Sequence, residues 1–177
     1  MIKPSMLKPG CRIGVVSPSY WLKKQYMEKT SKFFQDKGYT MVMGNSNSMK
    51  WGPFAGTPQE RADDIHHMFS NPKIEAIICA RGGYGANRVL PLLDYNLIRD
   101  NPKIFIGYSD ITAYLTSITQ KTGLVTFHGP MMVSYKKGFV NYNFQTMERI
   151  LNGTPDFKIE SPDSLPARIL KPGIAMG

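Results

Sequence analysis

Short apolar runs alternate with longer helical stretches along this chain, and that alternation constrains the fold more than any other feature. The apolar runs are Arg12–Ser17 (RIGVVS), Thr40–Met43, Glu75–Ala80, Ile104–Gly107 and Val125–His128. Between them, Gln25–Lys37 carries Tyr26, Thr30, Phe33 and Phe34 at helical spacing, with Gly38 placed to end the helix. Thr57-Pro58-Gln59-Glu60 opens another helix with a capping box and runs to about Ser70. The string ARGGYGANRVLPLLDY is a glycine-rich turn leading into a short helix. Asp110–Lys121 and Asn143–Leu151 complete the helical segments, and Gly44–Gly56 reads as loop. Alternation at this spacing predicts an α/β fold: a mostly parallel sheet with helices on both faces, flavodoxin-like or Rossmann-like. There is no internal repeat and no low-complexity segment.

The chain has 177 residues, which suits one domain with a proper core, and its 42% hydrophobic and 11% aromatic content is that of a globular chain. We divide it into a domain over residues 1–151 and a tail over 152–177. The tail has prolines at 155, 162, 166 and 172 and two brief strand-like pieces, Phe157–Glu160 and Ala167–Leu170, and reads as a linker towards a further domain. No apolar stretch approaches the roughly 20 residues of a membrane span, and Met1–Gly10 lacks the apolar run of roughly 7–15 residues that a signal peptide needs. The expected compartment is the cytoplasm, with no membrane partner. Cys11 and Cys79 lie in or beside apolar runs and are expected as buried free thiols. The net charge of +9 invites a nucleic-acid reading. The cations are scattered, however: Lys23, Lys24, Lys29, Lys32 and Lys37 make the solvated side of a helix, and Lys136 and Lys137 stand apart. No nucleic-acid motif accompanies them, so no nucleic-acid partner is expected. A basic surface equally steers in an acidic small substrate.

In parallel sheets, sites gather on the loops that leave the carboxyl ends of strands. Three such loops stand out: Ser17-Pro18-Ser19-Tyr20, Arg81-Gly82-Gly83-Tyr84-Gly85 and Gly107-Tyr108-Ser109-Asp110. The third has the logic of a nucleophile elbow. Gly107 permits a tight turn, Ser109 stands at the turn, and the following helix aims its amide dipoles at charge developing there. The match to Gly-x-Ser-x-Gly is incomplete, because Ile111 holds the second glycine position. The alternative is that Ser109 simply caps the helix. Gly82, Gly83 and Gly85 leave backbone amides free to approach a ligand, as an anion nest or part of an oxyanion hole. Neither a phosphate-loop nor a dinucleotide fingerprint is met. His66 and His67, adjacent on a helix, point about 100° apart and read as solvated or half-buried positions. His128 ends a strand on the active edge. No His, Cys or acidic cluster has metal-ligand spacing, and no cofactor is expected.

Taken together, ICARGGYGANRVLPLLDY (Ile78–Tyr95), FIGYSDIT and FHGPMM (Phe127–Met132) resemble the LD-carboxypeptidase family of serine peptidases, which includes murein tetrapeptide carboxypeptidases and microcin-immunity peptidases. LKPGCRIGVVSPS and ERADDIHHMFSNPKIEAIICARGGYG fit the same family. The resemblance implies cleavage of an amide next to a free carboxylate by a Ser-His-Glu triad. It makes Ser109 the nucleophile, with an oxyanion hole from the backbone amides of Asp110 and of Gly83, or alternatively Gly82. It puts the glutamate and histidine in a C-terminal domain beginning just after a segment like ILKPGIAMG (Ile169–Gly177). The chain is then the N-terminal half of a two-domain enzyme, expected to be inactive alone. Arg81 is a candidate for the substrate carboxylate, or else a salt-bridged structural arginine. Tyr84 and Asn87 are candidate pocket residues, and His128 a wall residue. The implied substrate is a small peptide or peptidoglycan fragment, such as an L,D-configured murein tetrapeptide losing its terminal D-alanine. An aminoacyl-nucleotide toxin is the other substrate class. A non-catalytic anion-binding α/β domain and a basic nucleic-acid module are the rival readings, and a homodimer is left open.

Overall fold

A computed structural model of the chain describes residues 1–135 and 141–154. Its strands are β1 (Arg12–Val16), β2 (Thr40–Met43), β3 (Ala76–Cys79), β4 (Ile104–Gly107) and β5 (Phe127–His128). They form one five-stranded sheet in the order β2-β1-β3-β4-β5, with every pairing parallel. The described helices are α1 (Lys24–Asp36), α2 (Pro58–Ser70), α3 (Ala86–Val89), α4 (Tyr95–Asp100), α5 (Thr112–Thr122) and α6 (Asn141–Leu151). The fold is the parallel α/β class expected from the alternation.

The strands are apolar throughout because both faces of the sheet are covered. Successive strand side chains point to opposite faces, so Ile77 and Cys79 of β3 join one core while Ala76 and Ile78 join the other. Helices α2 to α5 close the first face with Ile65, Phe69, Ile98 and Tyr114. Helices α1 and α6 close the second with Phe34, Phe144 and Met147, helped by the turn Met132–Tyr135. Fully burying one Ile or Phe contributes about 1.5–3 kcal/mol, against about 1 kcal/mol for a typical helix cap. The two apolar layers therefore dominate, and the caps adjust where each helix starts.

Thr57 does cap α2: its hydroxyl accepts from Glu60 N at 3.3 Å while the Glu60 carboxylate accepts from Thr57 N at 2.8 Å. The lysines of α1 are exposed, and both cysteines are buried and free. Several boundaries differ from the sequence reading. Strand β5 is two residues long. Strand β3 loses a residue at each end, and α6 starts at Asn141. Helix α4 was not anticipated; Asp94 caps it by accepting from Asn96 N and Leu97 N at 2.9 and 3.0 Å. The 44–56 loop contains a 3-10 turn, Asn45–Ser48, whose Asn45 and Ser46 amides donate to Asp64 of α2. The strand-like pieces of the tail, and Lys136 and Lys137, lie outside the described residues.

Strand order places the site. From β1 the chain steps to β2 on one side, and β3 lies on the other, so the topology switches between β1 and β3. Ligands bind open α/β sheets at such a point, outside the carboxyl ends of the strands.

Candidate active site

The carboxyl ends of β1, β3 and β4 bring the three loops singled out from sequence to one edge of the sheet. After β4, Tyr108 is extended and Ser109 then turns with φ +65°, the sole non-glycine residue with positive φ among those described. For an L-residue this costs on the order of 1–3 kcal/mol. A 3-10 turn, Ser109–Ile111, follows and leads into α5, so the regular helix starts two residues later than expected.

Capping does not explain the strain. Tyr108 occupies the cap position of the turn, no side chain caps either the turn or α5, and Ser109 is exposed. Its hydroxyl makes no hydrogen bond among the described residues. Packing holds the turn instead. Ile111 is fully buried, and its Cγ2 would lie 2.6 Å from a Cβ on Gly107. An isoleucine in the second glycine position of the elbow motif is therefore accommodated by glycine at the first.

The glycine-rich loop meets the elbow directly. A Cβ on Gly82 would lie 2.9 Å from Ser109 Cβ, 3.0 Å from Ser109 Oγ and 3.3 Å from the Asp110 amide nitrogen. Gly83 has φ +138°, and the Tyr20 ring occupies the space a side chain would need there. Tyr20 N donates to Gly82 O at 3.4 Å. Ser109, the Asp110 amide and the Gly82-Gly83 backbone thus stand together.

Residues without an expected role also converge here. Asp110 Oδ2 accepts from Ser19 Oγ at 2.6 Å and from Ala86 N at 3.2 Å. Pro18 O accepts from Arg61 Nη1 at 2.8 Å and from Tyr114 Oη at 2.9 Å. Arg61 is fully buried, its guanidinium 5.0 Å from the Phe54 ring, and burial pulls its pKa down. Burial raises that of Tyr114, which remains a phenol donor. Sequence reasoning named the loop holding Ser19 and the string holding Arg61 but assigned neither residue a task.

Arg81 is half-buried, with its guanidinium 5.6 Å from the Tyr20 ring. It has no ion pair among the described residues, so the salt-bridged alternative is not what the structure shows there. Tyr84 is 56% exposed and Asn87 is exposed. His128 is exposed, 6.2 Å ring to ring from Tyr108, and lines an open groove of about 250 Å³ with Phe127, Tyr142 and Met147. His66 Nε2 accepts from Asp94 N at 2.8 Å, and His67 is exposed on α2. No hydrogen bond joins any histidine to Ser109 among the described residues. No described helix is long and apolar enough to cross a membrane.

Comparison with known proteins identifies the family. The sequence profile of the LD-carboxypeptidase N-terminal domain matches residues 13–129. A probable murein peptide carboxypeptidase of Bacillus subtilis is 41% identical over 130 residues, covering 73% of this chain and 41% of the relative. The microcin C7 self-immunity protein MccF of Escherichia coli is 44% identical over 130 residues, covering 72% of this chain and 38% of the relative. The wild-type apo structure of a microcin C7 self-immunity protein MccF superposes with a TM-score of 0.83 at 32% identity, covering 96% of this chain and 55% of that one. The same scores hold for its complex with aspartyl sulfamoyl adenosine. The chain spans about two fifths of the length of the curated relatives it matches.

Proposed function

The chain belongs to the LD-carboxypeptidase family, and from that premise we propose that it supplies the nucleophile and oxyanion hole of a serine-type carboxypeptidase. The observation that carries this reading is Ser109, exposed and held at φ +65° with a hydroxyl that makes no hydrogen bond among the described residues. A strained, exposed, unpaired serine between a strand and a helix suits attack on a carbonyl better than it suits structure.

Ser109 Oγ attacks the scissile carbonyl, and the resulting oxyanion is held by the backbone amides of Asp110 and Gly83, with Gly82 as the alternative to Gly83. The dipoles of the turn and of α5 favour the same negative charge. A histidine oriented by a glutamate takes the serine proton and returns it to the leaving amine, and water then releases the acyl-enzyme. Family resemblance assigns those two residues to the C-terminal half of the enzyme. In this reading residues 1–151 are the nucleophile-bearing domain, and the chain from 152 onward leads to the second one. Without a base the serine is a weak nucleophile. Arg81, lacking an ion pair among the described residues, is the cation for the substrate's terminal carboxylate, with Tyr84 and His128 on the pocket wall.

The proposed substrate is an L,D-configured murein tetrapeptide that loses its terminal D-alanine. A second class, an aminoacyl nucleotide, is favoured by the 44% identity with the self-immunity protein. The test is to measure D-alanine release and aminoacyl sulfamoyl adenosine cleavage by the protein carrying its second domain, with and without Ser109→Ala. Serine-dependent turnover of one substrate identifies the class. Undiminished turnover of both by the variant overturns the mechanism, and anion binding without turnover favours the non-catalytic alternative.

A further inference from the structure

The oxyanion hole draws its atoms from the β3 and β4 loops, yet the loop after β1 touches both. Ser19 is fully buried, and its hydroxyl donates to Asp110 Oδ2 at 2.6 Å across 91 residues of sequence. The same oxygen accepts the amide of Ala86, which follows Gly85 and opens α3. One carboxylate oxygen thus joins all three loops, directly beside the nucleophile. The β1 loop is itself anchored from behind, because Arg61 of α2 and Tyr114 of α5 both donate to the carbonyl of Pro18, one residue before Ser19. On its outer side Tyr20 braces the glycine loop, through its amide on Gly82 O and its ring against Gly83.

We propose that the Asp110 carboxylate and the Ser19 hydroxyl are positioning residues, a strut that sets the separation between the Asp110 amide and the glycine-loop amide and so tunes the oxyanion hole. This inference rests on the proposed serine-peptidase reading. It adds a task for the Asp110 side chain, whose backbone alone had been assigned one. The physical case is geometric. Oxyanion donors must lie 2.7–3.1 Å from the oxygen that develops, and losing one donor costs about 10²–10³ in kcat. A charge-assisted hydrogen bond linking the two donor loops is the contact best placed to hold that tolerance. Because the strut touches no substrate, its loss should appear in kcat and leave KM nearly unchanged.

The experiment measures kcat and KM for the protein with its second domain, using the substrate that shows Ser109-dependent turnover, in Ser19→Ala, Asp110→Ala, Asp110→Asn and the Ser19→Ala/Asp110→Ala pair. The expected losses in kcat are about 10²-fold for Asp110→Ala, in the range of a lost oxyanion donor, and about 10-fold for Ser19→Ala. KM should stay within about threefold. Asp110→Asn retains a carbonyl oxygen that can accept from both Ser19 and Ala86, so it should recover most of the rate. The double variant should be no worse than Asp110→Ala alone, because losing the carboxylate already removes the contact that Ser19→Ala cuts. Should Asp110→Ala fail to fold, Ser19→Ala decides, with a kcat loss at constant KM supporting the strut and an unchanged kcat overturning it. Multiplying losses in the double variant, or losses confined to KM, also overturn it. Turnover surviving in Ser109→Ala would instead bring down the serine mechanism, which keeps the two failures distinct.

Discussion

Gly82 faces Ser109 so closely that a methyl group there would lie 2.9 Å from its Cβ and 3.0 Å from its hydroxyl. Ser109 already sits in the left-handed region and has little room to yield. Gly82→Ala should therefore displace Ser109, the proposed nucleophile, rather than merely crowd the loop. A displacement approaching 1 Å costs on the order of 10²-fold in rate, and we expect that loss in kcat in the protein extended by the proposed second domain, with a melting temperature close to wild type. Wild-type kcat in this variant would show that the two loops separate during turnover. The cysteines illustrate the opposite case, in which the side chain is sealed away. Cys79 is fully buried, which pushes its thiol well above the ordinary range, and Cys11 is also raised, chiefly by burial. Thiolate is the reactive form. In native protein at neutral pH both thiols should resist a disulfide reagent over minutes and react promptly once urea unfolds the chain. Fast reaction in the native state would contradict the burial.

Helix α2 does more than cover the sheet, since its polar residues hold the loops on either side. Buried Asp64 accepts from the Asn45 and Ser46 amides and from the Ser46 hydroxyl, fixing the turn after β2. Hydrogen bonds to charged groups are worth about 1.5–3 kcal/mol, and their loss strands buried donors. Asp64→Ala should cost about 2–4 kcal/mol by urea denaturation, and a change below about 0.5 kcal/mol would mean the turn is anchored otherwise. At the other end of α2, buried Lys103 donates from Nζ to the carbonyls of Met68 and Asn71. Burial pulls its pKa from 10.5 down to about 8. Between those values the unfolded chain binds the extra proton, so stability rises with pH across the window. The contribution is complete above pH 10.5 and is lost as pH falls through about 8. The stability difference between wild type and Lys103→Met should accordingly shift in favour of wild type from pH 8 to pH 10.5; a flat difference would show an unshifted lysine. The N-terminus of α2 was legible because a capping box is local, with its partners three residues apart. Helix α4 was not: a six-residue helix shows less than two turns of periodicity, and Asp94 was its one strong signal.

At the scale of the molecule, what could be read from sequence was what a local pattern encodes. Continuous apolar runs separated by helices require a parallel sheet with two covered faces, and parallel strands put their carboxyl ends on one edge. The three loops could therefore be grouped before any coordinates. The contacts that shape the site could not, because Ser19 reaches Asp110 across 91 residues and Arg61 reaches back 43 residues to Pro18. Neither partner leaves a trace in spacing or composition. The same division bears on how much of an enzyme this stretch is. Both faces of the sheet carry a closed apolar core, built from α2–α5 on one side and α1 and α6 on the other. These two cores lead us to expect cooperative folding, whereas proton transfer from Ser109 needs a base that none of His66, His67 and His128 supplies by hydrogen bond among the described residues. We expect the 177-residue chain to unfold in a single cooperative urea transition and to release negligible D-alanine from an L,D-tetrapeptide. The protein extended by the second domain should turn over at matched concentration, and Ser109→Ala in it should lose on the order of 10⁶-fold in kcat, as triad serines do. Comparable turnover by the shorter chain would place the base among its own residues and bring down the division of labour between the two halves. A non-cooperative transition would instead show that the core itself is completed by the second domain.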